Sequence, residues 1–181
     1  AAGESKRFNS KIPKPFIKVA GKTLLEHSLI KFNKIKQIKK TVVVVNKKHA
    51  KFLRKIKSNS FSKVIGGKTR QESAYKALKY IKKNRVKCTR VLIHDSARPN
   101  FSVQLIKKIV NTSKKNSVIP KIPIHDALKE SIGKEILLNL PRENFFSTQT
   151  PQSFNFKEIL DLHSKNKSLY NDDDLSLVQS L

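Results

Sequence analysis

The strongest constraint on the fold is the run TVVVV at residues 41–45. β-branched side chains favour extended backbone, and an unbroken apolar run is typical of a strand that is covered on both faces. Residues 63–66 (KVIG) and 90–94 (RVLIH) repeat this signature, and residues 117–122 (SVIPKI) repeat it more weakly. These runs predict a sheet buried between helices.

Segments with helical spacing separate these strands. Apolar side chains recur three to four positions apart over residues 23–33, 71–83, 102–113 and 154–164. Strands that alternate with helices predict an α/β fold with a doubly wound, mostly parallel sheet, as one domain over residues 1–181. In such folds, ligands bind in the loops at the carboxyl ends of the strands.

One segment breaks the alternation. Residues 122–147 read as short strands around a turn at Gly133. This pattern predicts a β-arm at about residues 123–146 that projects from the core. An arm too thin to bury its own apolar face usually packs on a partner chain, so we expect a homodimer formed through the arm.

The net charge of +26 raises the possibility of a nucleic-acid-binding protein. Only seven of the 39 basic residues are arginine, and the lysines are spread over almost every segment. Specific phosphate recognition favours the arginine fork, so the charge is better explained by compositional bias than by a polyanion surface. Trp is absent and there are three Tyr, which disfavours base stacking and argues against a nucleic-acid partner.

The chain is expected to lie in the cytoplasm without a membrane span. No apolar run approaches the roughly 18 residues that a spanning helix needs. The single cysteine, Cys88, excludes an internal disulfide and fits a reducing compartment.

The opening stretch AAGESKRFNSKIPKPF, residues 1–16, is the first candidate site. Gly3 followed by spaced cations can present backbone N–H groups and charges to a phosphate. Arg7 and Lys14 lie far enough apart in sequence to bind different phosphates. The alternative is a small-residue turn beside lysines without a ligand.

The second candidate is VLIHDSARP, residues 91–99, in which Asp95 directly follows an apolar strand. Mg²⁺ typically uses one or two carboxylates together with substrate phosphates, so Asp95 is a natural Mg²⁺ ligand. The alternative is that Asp95 caps a helix. Arg98 is placed to hold either a phosphate or Asp95 itself, and His94 is expected to be an inward or orienting residue.

Two further stretches carry turn residues and arginines. In GGKTRQES, residues 66–73, the glycines permit close approach of a ligand, and Ser73 serves as a helix N-cap or a ligand contact. In residues 140–154, Arg142 and Thr150 lie among turn residues. Four of the seven arginines fall in these four stretches: Arg7, Arg70, Arg98 and Arg142.

An acidic run, Asp172–Asp174, stands near the end of the chain. A helix N-terminal acidic cap is favoured for it over a metal site.

Together these stretches resemble the methylerythritol-phosphate cytidylyltransferases of the non-mevalonate isoprenoid pathway. The matching motifs occur in family order over almost the whole chain: AAG-x-x-x-R with PK (1–14), GG-x-x-R-x-x-S (66–73), HDSARP (94–99), D-x-x-K (126–129), R with TPQ-x-F (142–154) and the acidic pair (172–173). The resemblance implies a Rossmann-like fold of the nucleotidyltransferase type.

The resemblance also implies an activity, which is transfer of CMP from CTP to methylerythritol 4-phosphate with release of pyrophosphate and Mg²⁺ as cofactor. The substrate phosphate would attack the α-phosphorus in line. Residue roles carried over by position are catalytic for Arg7 and Lys14; nucleotide-binding for Ala1, Ala2, Gly3, Gly67, Ser73 and Ser96; substrate-binding for Arg98, Asp126, Arg142 and Thr150; and metal-binding for Asp95. Arg142 would reach from the arm into the partner subunit's site.

The chain departs from the family pattern at Ser5, Lys68, Ala127 and Asn171. It also lacks the strand expected before the opening loop and the later catalytic lysine, so a fragment truncated at both ends is expected. A ribitol-5-phosphate cytidylyltransferase, a basic nucleic-acid-binding protein and a non-catalytic interaction protein remain alternatives.

Overall fold

A computed structural model describes most of the chain, namely residues 1–2, 12–56, 60–112, 117–166 and 174–179. Gly3 and Arg7 of the opening stretch lie outside the described residues, as do Asp172 and Asp173 of the acidic run. None of the helices in the described segments is long and apolar enough to cross a membrane.

The described residues form strands β1 Lys18–Val19, β2 Lys22–Thr23, β3 Thr41–Val45, β4 Phe61–Ile65, β5 Arg90–Ile93, β6 Lys121–Pro123, β7 Leu128–Ile132, β8 Glu135–Leu140, β9 Phe146–Thr148 and β10 Gln152–Asn155. The helices are α1 Leu24–Asn33, α2 Ala50–Leu53, α3 Arg70–Lys83, α4 Val103–Thr112, α5 Phe156–Lys165 and α6 Leu175–Gln179. Short 3₁₀ turns occupy Lys14–Phe16, Lys47–His49 and Arg142–Asn144.

Strands β3 and β4 form a parallel pair, in register from Thr41 opposite Phe61 to Val45 opposite Ile65. The valine run predicted as a buried strand is therefore β3, and its Val43 and Val45 are buried. They pack in one core cluster with Leu25 and Leu29 of α1. The α/β class predicted from the sequence is confirmed.

Strand β10 pairs antiparallel with β5, and Gln152 lies opposite Ile93. Because the two strands run in opposite directions, the loop that enters β10 lies beside the loop that leaves β5. Thr150 is thereby brought to the residues that follow Ile93. Among the described strands the remaining pairs are also antiparallel, and the weak strand signal at 117–122 is realised as a bridge from Val118 to Ser153 and as β6.

Capping explains where the main helices begin. Thr23 and Glu26 form a capping box at α1, in which each side chain accepts a hydrogen bond from the other residue's backbone N–H. Thr69 caps α3 by accepting from Glu72 N, and Asn155 caps α5. Ser73 lies inside the first turn of α3, so the N-cap alternative for Ser73 is wrong and the ligand contact stays a prediction.

The arm segment contains a hairpin in which β7 pairs antiparallel with β8 around Gly133, whose φ of +60° suits glycine in the turn. Strand β6 pairs with β9 at its base. The hairpin leaves large apolar side chains in solvent, with Ile132 72% and Ile136 68% exposed.

Candidate active site

The residues that follow β5 form a tight turn that begins at Asp95. Arg98 N donates to Asp95 O at 2.9 Å, and the next described helix, α4, begins only at Val103. The helix-cap alternative for Asp95 is therefore wrong. The Asp95 carboxylate is 35% exposed and lies between two guanidinium groups, with Arg70 Nε 3.5 Å from Oδ1 and Arg98 Nε 3.2 Å from Oδ2.

A chain of hydrogen bonds fixes the backbone at Asp95. Asp95 N donates to Thr150 Oγ1 at 3.3 Å, so the Thr150 hydroxyl proton is directed to His94 Nδ1 at 2.9 Å. His94 then carries its proton on Nε2, which faces Ser28 Oγ at 3.5 Å, and Ser28 donates to Leu24 O. The chain ties the turn after β5 to α1, and His94 is the inward, orienting residue that the sequence predicted.

His94 is held in an apolar environment that disfavours its charged form. Its ring packs edge-on against Phe32 at 5.3 Å and Phe101 at 4.7 Å. Burial lowers the pKa of His94 to about 4, and the attraction of Asp95 offsets this only in part. At neutral pH the imidazole is uncharged, which fits its place as a hydrogen-bond acceptor from Thr150.

This shift predicts a pH-dependent stability. The pKa of His94 is about 4 in the folded protein against 6.5 when unfolded, so only the unfolded chain binds the proton between these values. Stability is thus fully present above the unfolded pKa and falls as the pH drops. The free energy of unfolding is expected to fall by about 2 kcal/mol between about pH 7 and about pH 5 from this group. Urea denaturation of His94→Asn should show a correspondingly smaller loss, and an unchanged pH slope would contradict the assignment.

The glycine pair after β4 closes against the first turn of α3. Gly66 N donates to Val45 O, and Gly67 N donates to the buried Ser73 hydroxyl at 3.0 Å. A Cβ on Gly66 would lie 2.8 Å from Ala2 Cβ and 2.8 Å from Ser73 Oγ. Glycine is therefore required at position 66 by the close approach of Ala2 and Ser73, whereas the sequence predicted the close approach of a ligand.

Ion pairs link the turn after β5 to the end of the described chain. Arg70 Nη1 lies 2.5 Å from Asp174 Oδ2, and Asp174 Oδ1 accepts from His163 Nε2 at 3.0 Å. Burial opposes the charge of Arg70, but Asp174 and Asp95 outweigh burial, so the pKa of Arg70 is raised. Sequence patterns predict no contact between Arg70 and Asp174; the signals that single them out are the concentration of arginines in the motif stretches and the acidic run at 172–174. Asp174 stands directly before α6, as expected for an acidic residue at a helix N-terminus, and its carboxylate also pairs with Arg70.

Most of the predicted site residues line one large, open cavity. Its volume is about 2160 Å³, and its lining includes residues of β3, of β5 and of the loops that follow these strands. The predicted residues that line it are Ala1, Ala2, Lys14, Gly67, Ser73, Asp95, Ser96 and Arg98. Thr150 contacts this group through Asp95 N.

Comparison with known proteins identifies the family. The family model described as 2-C-methyl-D-erythritol 4-phosphate cytidylyltransferase (IspD) matches residues 1–181. The chain belongs to this family. The 2-C-methyl-D-erythritol 4-phosphate cytidylyltransferase of Dictyoglomus thermophilum is 36% identical over 192 residues, covering 100% of this chain and 81% of that protein.

Two further relatives place the chain within the IspD family. The bifunctional enzyme IspD/IspF of Pelagibacter ubique is 48% identical over 178 residues, and the match spans 98% of this chain but 47% of that protein. The crystal structure of the synthase from Anaerococcus prevotii has a TM-score of 0.82 at 28% identity, covering 99% of this chain and 78% of that one. The likeness extends over nearly all of this chain and confirms the nucleotidyltransferase fold.

The arm residues expected to bind substrate lie apart from this IspD-family site. Arg142 Nη1 donates to His125 O at 2.6 Å and Nε lies 3.6 Å from Glu143, while Asp126 is exposed. Neither Arg142 nor Asp126 lines the cavity that holds Asp95. Within one chain, the described residues therefore do not bring the arm and the nucleotide loops together.

The donor set at Asp95 fits a magnesium ion that is shared with a substrate. The described residues contain no group of three His, Cys, Asp or Glu side chains that could hold a metal by themselves. Mg²⁺ is typically bound by one or two carboxylates when substrate phosphates supply other ligands, and the Asp95 carboxylate is 35% exposed. Asp95 matches that pattern.

Proposed function

We propose that the protein transfers CMP from CTP to 2-C-methyl-D-erythritol 4-phosphate and releases pyrophosphate. The observation that carries the proposal is the Asp95 turn, fixed by Thr150 and flanked by two arginines, in a chain that belongs to the IspD family. A loop at the carboxyl end of a strand is where an α/β fold binds a nucleotide.

The proposed reaction requires that the charge of the triphosphate be neutralised and that the acceptor phosphate be aligned with the α-phosphorus. A substrate phosphate is already a nucleophile, so no residue has to remove a proton from it. Lys14 lines the cavity and would contact the triphosphate, together with Arg7, whose role rests on the family motif. His94 is not proposed as a base, because its nitrogens are engaged by Thr150 and Ser28.

We assign Mg²⁺ to Asp95 and the nucleotide to the loops around it. When bound, Mg²⁺ would neutralise part of the triphosphate charge and stabilise pyrophosphate as the leaving group. The nucleotide contacts proposed for this chain are Ala1, Ala2, Gly3, Gly67, Ser73 and Ser96. Of these, Gly67 N donates a hydrogen bond to the Ser73 hydroxyl, which holds the two residues in place at the edge of the cavity.

The acceptor substrate, methylerythritol phosphate, is assigned to Arg98, Thr150, Asp126 and Arg142. Arg98 is half exposed and is shared between Asp95 and Gln149 Oε1, so its guanidinium faces the cavity from the rim. Arg142 and Asp126 are carried by the arm. We propose that they serve the site of a partner subunit, because the same chain does not place them at its own.

The test is pyrophosphate release from CTP by the full-length protein, measured with methylerythritol phosphate and ribitol 5-phosphate in parallel. Release that depends on methylerythritol phosphate is expected. Release with ribitol 5-phosphate alone would transfer the proposal to the related reaction. Release with neither acceptor would overturn the enzymatic function.

We also propose that the arm forms a homodimer. Its hairpin exposes Ile132, Ile136, Leu137 and Leu138, with no described core residue to cover them. Exposed apolar side chains on a two-stranded hairpin are costly unless a partner buries them.

Charging the arm is expected to separate the subunits. The double variant Ile132→Glu/Ile136→Glu should be monomeric at micromolar concentration by light scattering, whereas the native protein is dimeric. Ile30→Glu is the matched control, because Ile30 is 40% exposed on α1 and lies outside the arm. A dimeric double variant, or a monomeric native protein, would contradict the proposal.

A cytoplasmic location of the protein stays a prediction, and it rests on the single cysteine.

A further inference from the structure

We propose that Asp174 is a positioning residue that draws the Arg70 guanidinium away from Asp95, and so keeps the Asp95 carboxylate available to a divalent cation. The inference rests on the proposed role of Asp95 as the metal ligand. Asp174 itself does not line the cavity, so it would act through Arg70 alone.

Asp174 is a fully buried carboxylate with both oxygens engaged. Its side chain is 1% exposed, Oδ2 accepts from Arg70 Nη1 at 2.5 Å and Oδ1 accepts from His163 Nε2 at 3.0 Å. The His163 ring is itself buried and stacks on Tyr75 with the ring planes 6° apart. A buried carboxylate needs such partners, because desolvation makes an unpaired one costly.

The position of Asp174 is set by the core and not by the loop that carries Asp95. It directly precedes α6, whose Leu177 is 1% exposed and packs with Leu78, Phe154 and Ile159. Arg70 is held at its other end, as the first residue of α3 after the Thr69 cap. The Arg70 side chain therefore reaches from one fixed element to another. Asp174 determines whether the guanidinium lies closer to Asp174 or to Asp95.

The distances show how Arg70 divides its charge between two carboxylates. The contact with Asp174 is 2.5 Å, whereas the contact with Asp95 is 3.5 Å. Because Coulomb attraction rises as charges approach and as water is excluded, the buried pair dominates. Without the Asp174 charge, Asp95 would be the one remaining carboxylate partner of Arg70 among the described residues. A cation that binds Asp95 would then have to displace a tighter Arg70 pair.

A purely structural role for Asp174 makes a different prediction. Loss of a buried ion pair would destabilise the folded protein without a specific effect on metal affinity. The charge-directing role instead predicts weaker cation binding that depends on the presence of Arg70. The two roles are therefore separated by a double-mutant cycle on metal affinity.

The experiment measures Mn²⁺ binding by electron paramagnetic resonance, in the presence of α,β-methylene-CTP, which cannot be turned over. Asp174→Asn keeps the side-chain shape and is expected to weaken Mn²⁺ binding about tenfold. Asp174→Asn/Arg70→Gln should restore binding to near the native value, since the competing cation is gone. Asp161→Asn is the matched control, because Asp161 pairs with Lys165 on the exposed face of α5.

Three outcomes would overturn the inference: native affinity in Asp174→Asn, no recovery in the double variant, or an equal loss in Asp161→Asn. If Asp174→Asn does not fold, Arg70→Gln alone decides, and it should bind Mn²⁺ at least as tightly as the native protein. Weaker binding by Arg70→Gln would contradict the inference. If Asp95→Asn binds Mn²⁺ as well as the native protein, the proposed metal site itself is wrong and the inference falls with it.

Discussion

Asp95→Asn is expected to lower kcat by about 10²–10³-fold, the usual effect of removing one preorganised electrostatic group from an active site. Asparagine has nearly the same shape, and its oxygen can still accept from Arg70 or Arg98, which flank the carboxylate. What is lost is the negative charge proposed to hold Mg²⁺. The measurement is steady-state pyrophosphate release at several Mg²⁺ concentrations.

The control for Asp95→Asn is Asp161→Asn, which makes the same chemical change at an exposed ion pair with Lys165. It should leave kcat unchanged. Near-native turnover by Asp95→Asn would show that the metal ligand has been misassigned. A loss caused by unfolding is separated by the melting temperature, which Asp95→Asn should change little because Asp95 is partly exposed.

Arg142→Ala is expected to raise the KM for methylerythritol phosphate about tenfold to a hundredfold and to leave CTP affinity nearly unchanged. Arginine binds phosphate through charge-assisted hydrogen bonds, which alanine cannot replace. The Arg142 guanidinium is half exposed in the described chain and makes no contact with the Asp95 turn. Arg54→Ala, at the exposed end of α2, is the matched control.

Mixing two defective variants tests whether Arg142 acts on the partner's site. In a mixed dimer of Asp95→Asn with Arg142→Ala, one of the two sites would receive an intact Asp95 and an intact Arg142. After subunit exchange at equal concentrations, and with methylerythritol phosphate far below the KM of Arg142→Ala, about a quarter of native activity is expected, because about half of the dimers are mixed and each has one working site. No recovery would mean that Arg142 serves its own chain. Collapse of CTP binding in Arg142→Ala would show that the arm assignment is wrong.

Local sequence patterns were sufficient where the determinant is local. The valine run at 41–45 is β3 because β-branched apolar residues both prefer extended backbone and require burial. The Gly133 turn predicted the hairpin of the arm. The cap of α3 is also a local feature, since Thr69 with Glu72 has the spacing of a capping signal.

Long-range pairings could not be predicted from these patterns. Arg70 and Asp174 are 104 positions apart, and neither local periodicity nor composition indicates that they meet. The antiparallel pairing of β10 with β5 likewise depends on which sheet edge is available after the rest of the chain has packed. For the same reason the family motif suggested a substrate role for Thr150 but not its hydrogen bonds to His94 and Asp95 N.

The most direct test of the proposed function follows the phosphorus atoms of CTP by ³¹P nuclear magnetic resonance, with methylerythritol phosphate and Mg²⁺ present. The proposal predicts that the CTP signals are replaced by the two coupled signals of a diphosphate diester and by pyrophosphate, in equal molar amounts. The same sample with Asp95→Asn should remain unchanged over the same time. Pyrophosphate formed together with free CMP, or unaltered CTP with the native protein, would contradict the proposed transfer.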